Sequence, residues 1–126
     1  MGNGTSIGKV RALGSAHSGA HHWLLQRYTA IGNLLTGLYL FFALLVKGDY
    51  SYASIHDWLH APLPATLTGL FVLSTFWHAR LGLQVLIEDY VHENANKFAV
   101  MALLNLLTFA GAAFGLLSVA RIALGA

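Results

Sequence analysis

His78–His92 reads HARLGLQVLIEDYVH, and how this stretch is read decides the fold. It continues an apolar run that begins near Pro64, holds a histidine and an arginine deep inside that run, and stops at Glu88-Asp89-Tyr90. A run from 64 to 87 exceeds the roughly 20 residues a helix needs to cross a ~30 Å hydrocarbon layer at ~1.5 Å per residue. Composition sets the solvent: of 126 residues 56% are hydrophobic and 10% charged, with a mean hydropathy of +0.61. Ordinary soluble domains carry about 25% charged residues, so a bilayer is the natural surrounding for this chain.

Two further runs have the same character. Tyr28–Val46, YTAIGNLLTGLYLFFALLV, holds no charge, and a third runs from Phe98 to Leu124 with Arg121 near its end. The expected fold is all-α: an integral membrane protein with three transmembrane helices at about 24–46, 64–88 and 97–124. It forms a single membrane-anchor domain, 1–126, whose segment 1–22 is polar and lies at or outside the membrane surface. Helices are the form that satisfies every backbone group inside lipid. Ala102, Gly111, Ala112, Ala113 and Gly115 let the third span pack closely. Three helices enclose little interior, which points to packing against a companion subunit.

The connections agree with this reading. KGDYSYASIHDWLHAPLP is a polar, aromatic linker in which Pro62 and Pro64 open the second span and Trp58, Tyr50 and Tyr52 suit an interfacial belt. Lys9, Arg11, Arg27 and Lys97 fall on the N-terminal side, Lys47 and Arg121 on the other. The excess of positive charge favours a cytoplasmic N-terminus. MGNGTS matches the loose patterns for myristoylation and, at Asn3, glycosylation, both short enough to arise by chance. Lys9 and Arg11 lead into Gly, Ser and His rather than an apolar stretch, so no cleavable signal is expected. With no Arg/Ser-rich transit segment, a bacterial cytoplasmic (inner) membrane is expected over a mitochondrial inner membrane. The net charge of +2 forms no basic cluster, which argues against nucleic acid. The chain has no cysteine, so it holds no disulfide, thiol nucleophile or iron–sulfur cluster by itself.

Chemistry concentrates in the second span. An ionisable side chain within the membrane marks a functional site by default, and His78 sits about ten residues from the nearer end of its run. Phe71, Ser74, His78, Gly82, Val85 and Asp89 fall on one helical stripe at ~100° per residue. A neutral imidazole there can serve as an axial haem ligand, with Gly82 leaving room for a flat macrocycle. It can equally be an interhelical hydrogen-bonder. Asp89 and Tyr90 follow eleven and twelve residues later, about 16–18 Å along the axis, at the N-terminal interface. A phenol there can donate to a quinone carbonyl with the carboxylate beside it, or EDY simply anchors the helix end. In GAHHWLLQRYTAI, His21 and Arg27 suit carboxylates such as haem propionates, or lipid headgroups. Arg80 points off the stripe, to snorkel or to pair with another helix.

GAHHWLLQRYTAI at Gly19–Ile31 and HARLGLQVLIEDYV at His78–Val91, with three spans in order, resemble the D-type hydrophobic membrane-anchor subunits of succinate dehydrogenase, respiratory complex II. The resemblance implies that His78 is an axial ligand of haem b, shared with a C-type cytochrome b anchor subunit. It implies that Tyr90 and Asp89 bind quinone, most simply ubiquinone, and that His21 and Arg27 lie near the haem propionates. FAD and the iron–sulfur clusters then sit on a flavoprotein and an iron–sulfur subunit, where succinate is oxidised; an activity of the isolated chain is left open, and as a subunit it belongs to an enzyme, succinate:quinone oxidoreductase. His22 stands where some such subunits carry an acid, and Arg80 where an aromatic is expected. The alternatives are a fumarate reductase anchor, a haem-free structural or assembly protein, and a small proton-coupled transporter.

Overall fold

A computed structural model describes residues 19–125, and among these the chain is helical with no strand. Four helices follow in order: α1 Gly19–Lys47, α2 Tyr52–His60, α3 Pro62–Tyr90 and α4 Asn94–Ala123. The Met-Gly and Asn-Gly-Thr patterns, Lys9 and Arg11 lie outside the described residues.

Helices α1, α3 and α4 are each long and apolar enough to cross a membrane. At 29, 29 and 30 residues they reach about 43–45 Å, longer than a ~30 Å hydrocarbon layer. Each therefore projects past the apolar run the sequence marks. α1 starts five residues before the expected boundary because nothing in GAHHW breaks a helix, so the end of the polar segment, Gly19–His22, is the first turn of α1.

The boundaries have local causes. α1 stops at Gly48, whose φ of +67° is open to glycine and whose N–H bonds the Leu44 carbonyl at 3.3 Å. The linker that follows contains a helix not expected from the sequence. Asp49 accepts from the Ser51 N–H at 2.9 Å, Ser51 Oγ caps α2 by accepting from the Ser54 N–H, and α2 runs to His60. The Ser51 backbone and hydroxyl bonds hold the exposed Asp49 carboxyl below its ordinary value. Tyr52, His56 and His60 stack along α2 with ring centroids 5.6 and 4.8 Å apart. Ala61 is extended, as a residue before proline tends to be, and Pro62 opens α3.

α3 is the middle of a single row. It packs against α1 on one side and α4 on the other, while α1 and α4 do not meet among the described residues. The α3–α4 seam is the tighter. A Cβ on Gly111 would run into the Phe76 ring, and one on Gly115 would come 2.6 Å from Val72 Cγ1. Thr108 and Ala112 are buried on α4, and Leu81 and Ile87 on α3. Helix backbones approach this closely in lipid where small residues line the contact. Most other large apolar side chains, Leu34, Phe41, Phe42, Leu106 and Phe114 among them, face outward as lipid-facing residues do. One end of the row gathers the start of α1, the end of α3 and the α3–α4 turn, where Lys97 Nζ donates to the Glu88 carbonyl at 3.2 Å. The other end carries α2 beside the last turn of α4.

Candidate functional site

The stripe Phe71–Ser74–His78–Gly82–Val85 faces α1. Phe71 lies against Gly37, Ser74 Oγ donates to the Thr29 carbonyl at 3.0 Å, and Gly82 faces the Gln26 amide. His78 is half-buried, and its Nδ1 lies 3.0 Å from Thr29 Oγ1. That hydroxyl also reaches its own helix, 2.9 Å from the Leu25 carbonyl and 3.1 Å from the Gln26 carbonyl. Two polar groups of α3 thus converge on one threonine of α1.

Beside this contact a cavity of about 260 Å³ is lined by Trp23, Gln26, Arg27, Ala30 and His78. Arg27 stacks its guanidinium over Trp23, 5.2 Å from the ring centroid, as residues one turn apart on a helix can. The structure therefore brings together His78 and Arg27, 51 positions apart in the chain, at one opening between α1 and α3. His21 is exposed and does not line that cavity. Six residues on a helix leave two side chains about 120° apart, which turns His21 off the Arg27 face. His22 turns to α3 instead, into a second cavity of about 230 Å³ with Gly19, Gln84, Val85 and Glu88, and its Nε2 is buried without a partner among the described residues.

Asp89 and Tyr90 close α3 at the same end of the row as the start of α1, and both are exposed, Tyr90 at 75%. About 16–18 Å along the axis separates them from His78. No cluster of three or more His, Cys, Asp or Glu that could hold a metal ion by itself occurs among the described residues.

Arg80 takes the opposite face. Its Nε donates to Asn105 Oδ1 on α4 at 2.7 Å, and its guanidinium sits 5.6 Å from the Trp77 ring centroid. Two residues turn a helix by ~200°, so the imidazole and the guanidinium leave α3 toward different neighbours. Thr29, Gln26 and Asn105 are the site residues sequence reasoning passed over. The signal at Thr29 and Asn105 was a polar side chain inside an apolar run, and at Gln26 an amide beside Arg27, none of which names a partner.

The comparisons agree with this architecture. A family model described as the succinate dehydrogenase/fumarate reductase transmembrane subunit matches residues 1–113. The chain is 43% identical over 89 residues to a succinate dehydrogenase hydrophobic membrane anchor subunit of Rickettsia bellii, covering 70% of each. It is 36% identical to the Rickettsia conorii subunit of the same description, over 75% of this chain and 78% of that one. Against the Paracoccus denitrificans subunit it is 30% identical over 118 residues, 93% of this chain and 90% of the other. No solved structure matches. An all-α row of three membrane-length helices, carrying a family match over nearly its whole length, belongs to the succinate dehydrogenase/fumarate reductase transmembrane subunit family.

Proposed function

We propose that the chain anchors a succinate:quinone oxidoreductase in the membrane, supplies His78 as one axial ligand of haem b, and presents Tyr90 and Asp89 to quinone. The observation that carries this reading is the cavity joining His78 to Arg27. An imidazole, a small apolar wall at Ala30 and a guanidinium at the rim suit one face of a macrocycle with carboxylates at its edge. At about 260 Å³ the cavity falls short of the roughly 300–1,000 Å³ that encloses a whole small molecule. The chain thus offers one wall, and a C-type cytochrome b anchor subunit completes the site with the second ligand. Bound there, haem would supply a one-electron relay beside the quinone.

The chain's own residues have distinct tasks. His78 offers a ring nitrogen, Arg27 neutralises carboxylate charge, and exposed His21 offers a ring N–H to a propionate near that end of α1. Tyr90, when its phenol lies about 2.6–3.2 Å from a quinone carbonyl, donates a hydrogen bond that strengthens as the oxygen gains charge. Asp89 beside it can orient that phenol or pass on a proton. A flavoprotein and an iron–sulfur subunit carry FAD, the clusters and the dicarboxylate chemistry. They dock at the end holding Tyr90 and the start of α1, which is cytoplasmic in a bacterial inner membrane. In this reading the chain works as one membrane-anchor domain. The quinone is ubiquinone in this reading; the family description names both succinate dehydrogenase and fumarate reductase, and the direction of the reaction depends on the potentials of the reacting couples.

A second reading rests on a specific contact. His78 already bonds Thr29, so a haem-free anchor in which it only ties α3 to α1 is coherent. A reduced-minus-oxidised optical spectrum of the purified assembly, wild type against His78→Ala, separates the two. The haem reading expects a b-type signal that vanishes while the subunits still co-purify. A signal that survives the substitution removes His78 as ligand, and no signal in the wild type leaves the haem-free anchor.

A further inference from the structure

We infer that Thr29 is a positioning residue for His78: its hydroxyl accepts the Nδ1–H, holding the imidazole in the tautomer whose Nε2 is free to take iron. The inference rests on the haem reading above and adds a residue that reading does not use. A neutral imidazole carries one N–H, and either nitrogen can hold it. What selects one is the group opposite, and here that group is Thr29 Oγ1, 3.0 Å from Nδ1.

A hydroxyl has one proton, and three acceptors surround this one. Oγ1 lies 2.9 Å from the Leu25 carbonyl and 3.1 Å from the Gln26 carbonyl. Turning its proton to His78 would leave its lone pairs against two carbonyl oxygens at those distances, which is repulsive. Turning it inward satisfies the back-bond that helical threonines commonly make. The lone pair left over faces Nδ1, so the proton between the helices belongs to the histidine. Ser74 does not compete, because its hydroxyl donates to the Thr29 carbonyl at 3.0 Å. That same bond fixes Thr29 against α3 one turn from His78. Donation of the Thr29 proton to backbone polarises its oxygen and strengthens it as an acceptor.

A hydrogen bond from the far nitrogen of a ligating histidine fixes ring orientation and raises ligand basicity. Greater basicity favours ferric over ferrous iron, so the Thr29 contact lowers the haem potential. The test is a potentiometric titration of the haem band in the detergent-purified assembly, comparing wild type with Thr29→Val, Thr29→Ser and His78→Ala. Valine keeps the shape and removes the acceptor, and Thr29→Ala takes its place if the valine variant does not assemble. The expected result is an upward shift of the midpoint in the variant lacking the hydroxyl and a wild-type midpoint in Thr29→Ser. A residue that merely held α1 to α3 would lower haem content and leave the midpoint of the remaining haem unmoved, and that outcome overturns the inference. Loss of the band in His78→Ala with an unmoved midpoint at Thr29 would sink the Thr29 role alone. A band that persists in His78→Ala would overturn the haem reading and this inference together.

Discussion

Removing Asn105 should damage the fold more than removing the charge it holds. Arg80 lies ten residues, about 15 Å, from the Tyr90 end of α3. Its guanidinium sits over Trp77, three residues earlier, and its Nε reaches across to Asn105, so it is held between α3 and α4. In Asn105→Leu the cation stays where it is with only the indole face for company. A hydrogen bond to a charged group is worth about 1.5–3 kcal/mol, and side-chain bonds within membranes about 0.6, up to ~1.7. A cost of about 1–3 kcal/mol follows. Arg80→Leu loses the same bond but also removes a charge whose placement at a helix centre in lipid costs about 2.5–3.5 kcal/mol. Its net effect should be near neutral or stabilising, as when a buried ion is exchanged for a packed apolar residue. In the Arg80→Leu background Asn105→Leu should add little, leaving a coupling of about 1–2 kcal/mol across the pair. Equilibrium SDS titration of the full chain in bicelles, run as a double-mutant cycle, measures all three. Arg80→Leu proving as costly as Asn105→Leu, or the two simply adding, would refute the reasoning.

Tyr90→Phe removes one exposed hydroxyl from a helix end and should cut quinone reduction severalfold while the haem spectrum and subunit co-purification stay as in wild type; unchanged quinone turnover would discard the Tyr90 assignment. Gly111→Val places a side chain into the Phe76 ring and should cost about 1–3 kcal/mol by overpacking the α3–α4 seam. Gly69→Ala meets Leu116 at an ordinary 3.6 Å and should be tolerated in the same SDS titration.

The long elements were legible because lipid imposes a length and a composition at once. Tyr28–Val46 has neither a charge nor a proline, so little except a spanning helix suits it. α2 escaped notice because nine residues give a weak pattern, although Ser51 as a cap and Ile55, Trp58 and Leu59 on one side were there to be read. The stripe through Ser74, His78 and Gly82 was legible from periodicity alone. That it faces α1 was not, since periodicity gives a face and never the neighbour. His21 and Arg27, six residues apart, leave α1 about 120° from each other, whereas Trp23, one turn back, shares the Arg27 face.

A row one helix thick explains why single partners matter so much in this chain. In a closed bundle a buried polar group meets several elements and can exchange one partner for another. Here α3 has one neighbour on each side, so His78 depends on Thr29 and Arg80 on Asn105. Lipid offers no water to replace a lost acceptor. The two dependencies are also separable, because successive ~100° turns send the imidazole to α1 and the guanidinium to α4. A lesion at Asn105 should therefore leave the haem midpoint where it was, and one at Thr29 should leave the Arg80–Asn105 coupling intact. Cross-effects between the faces would mean that α3 shifts as a whole, and that its two contacts are not independent.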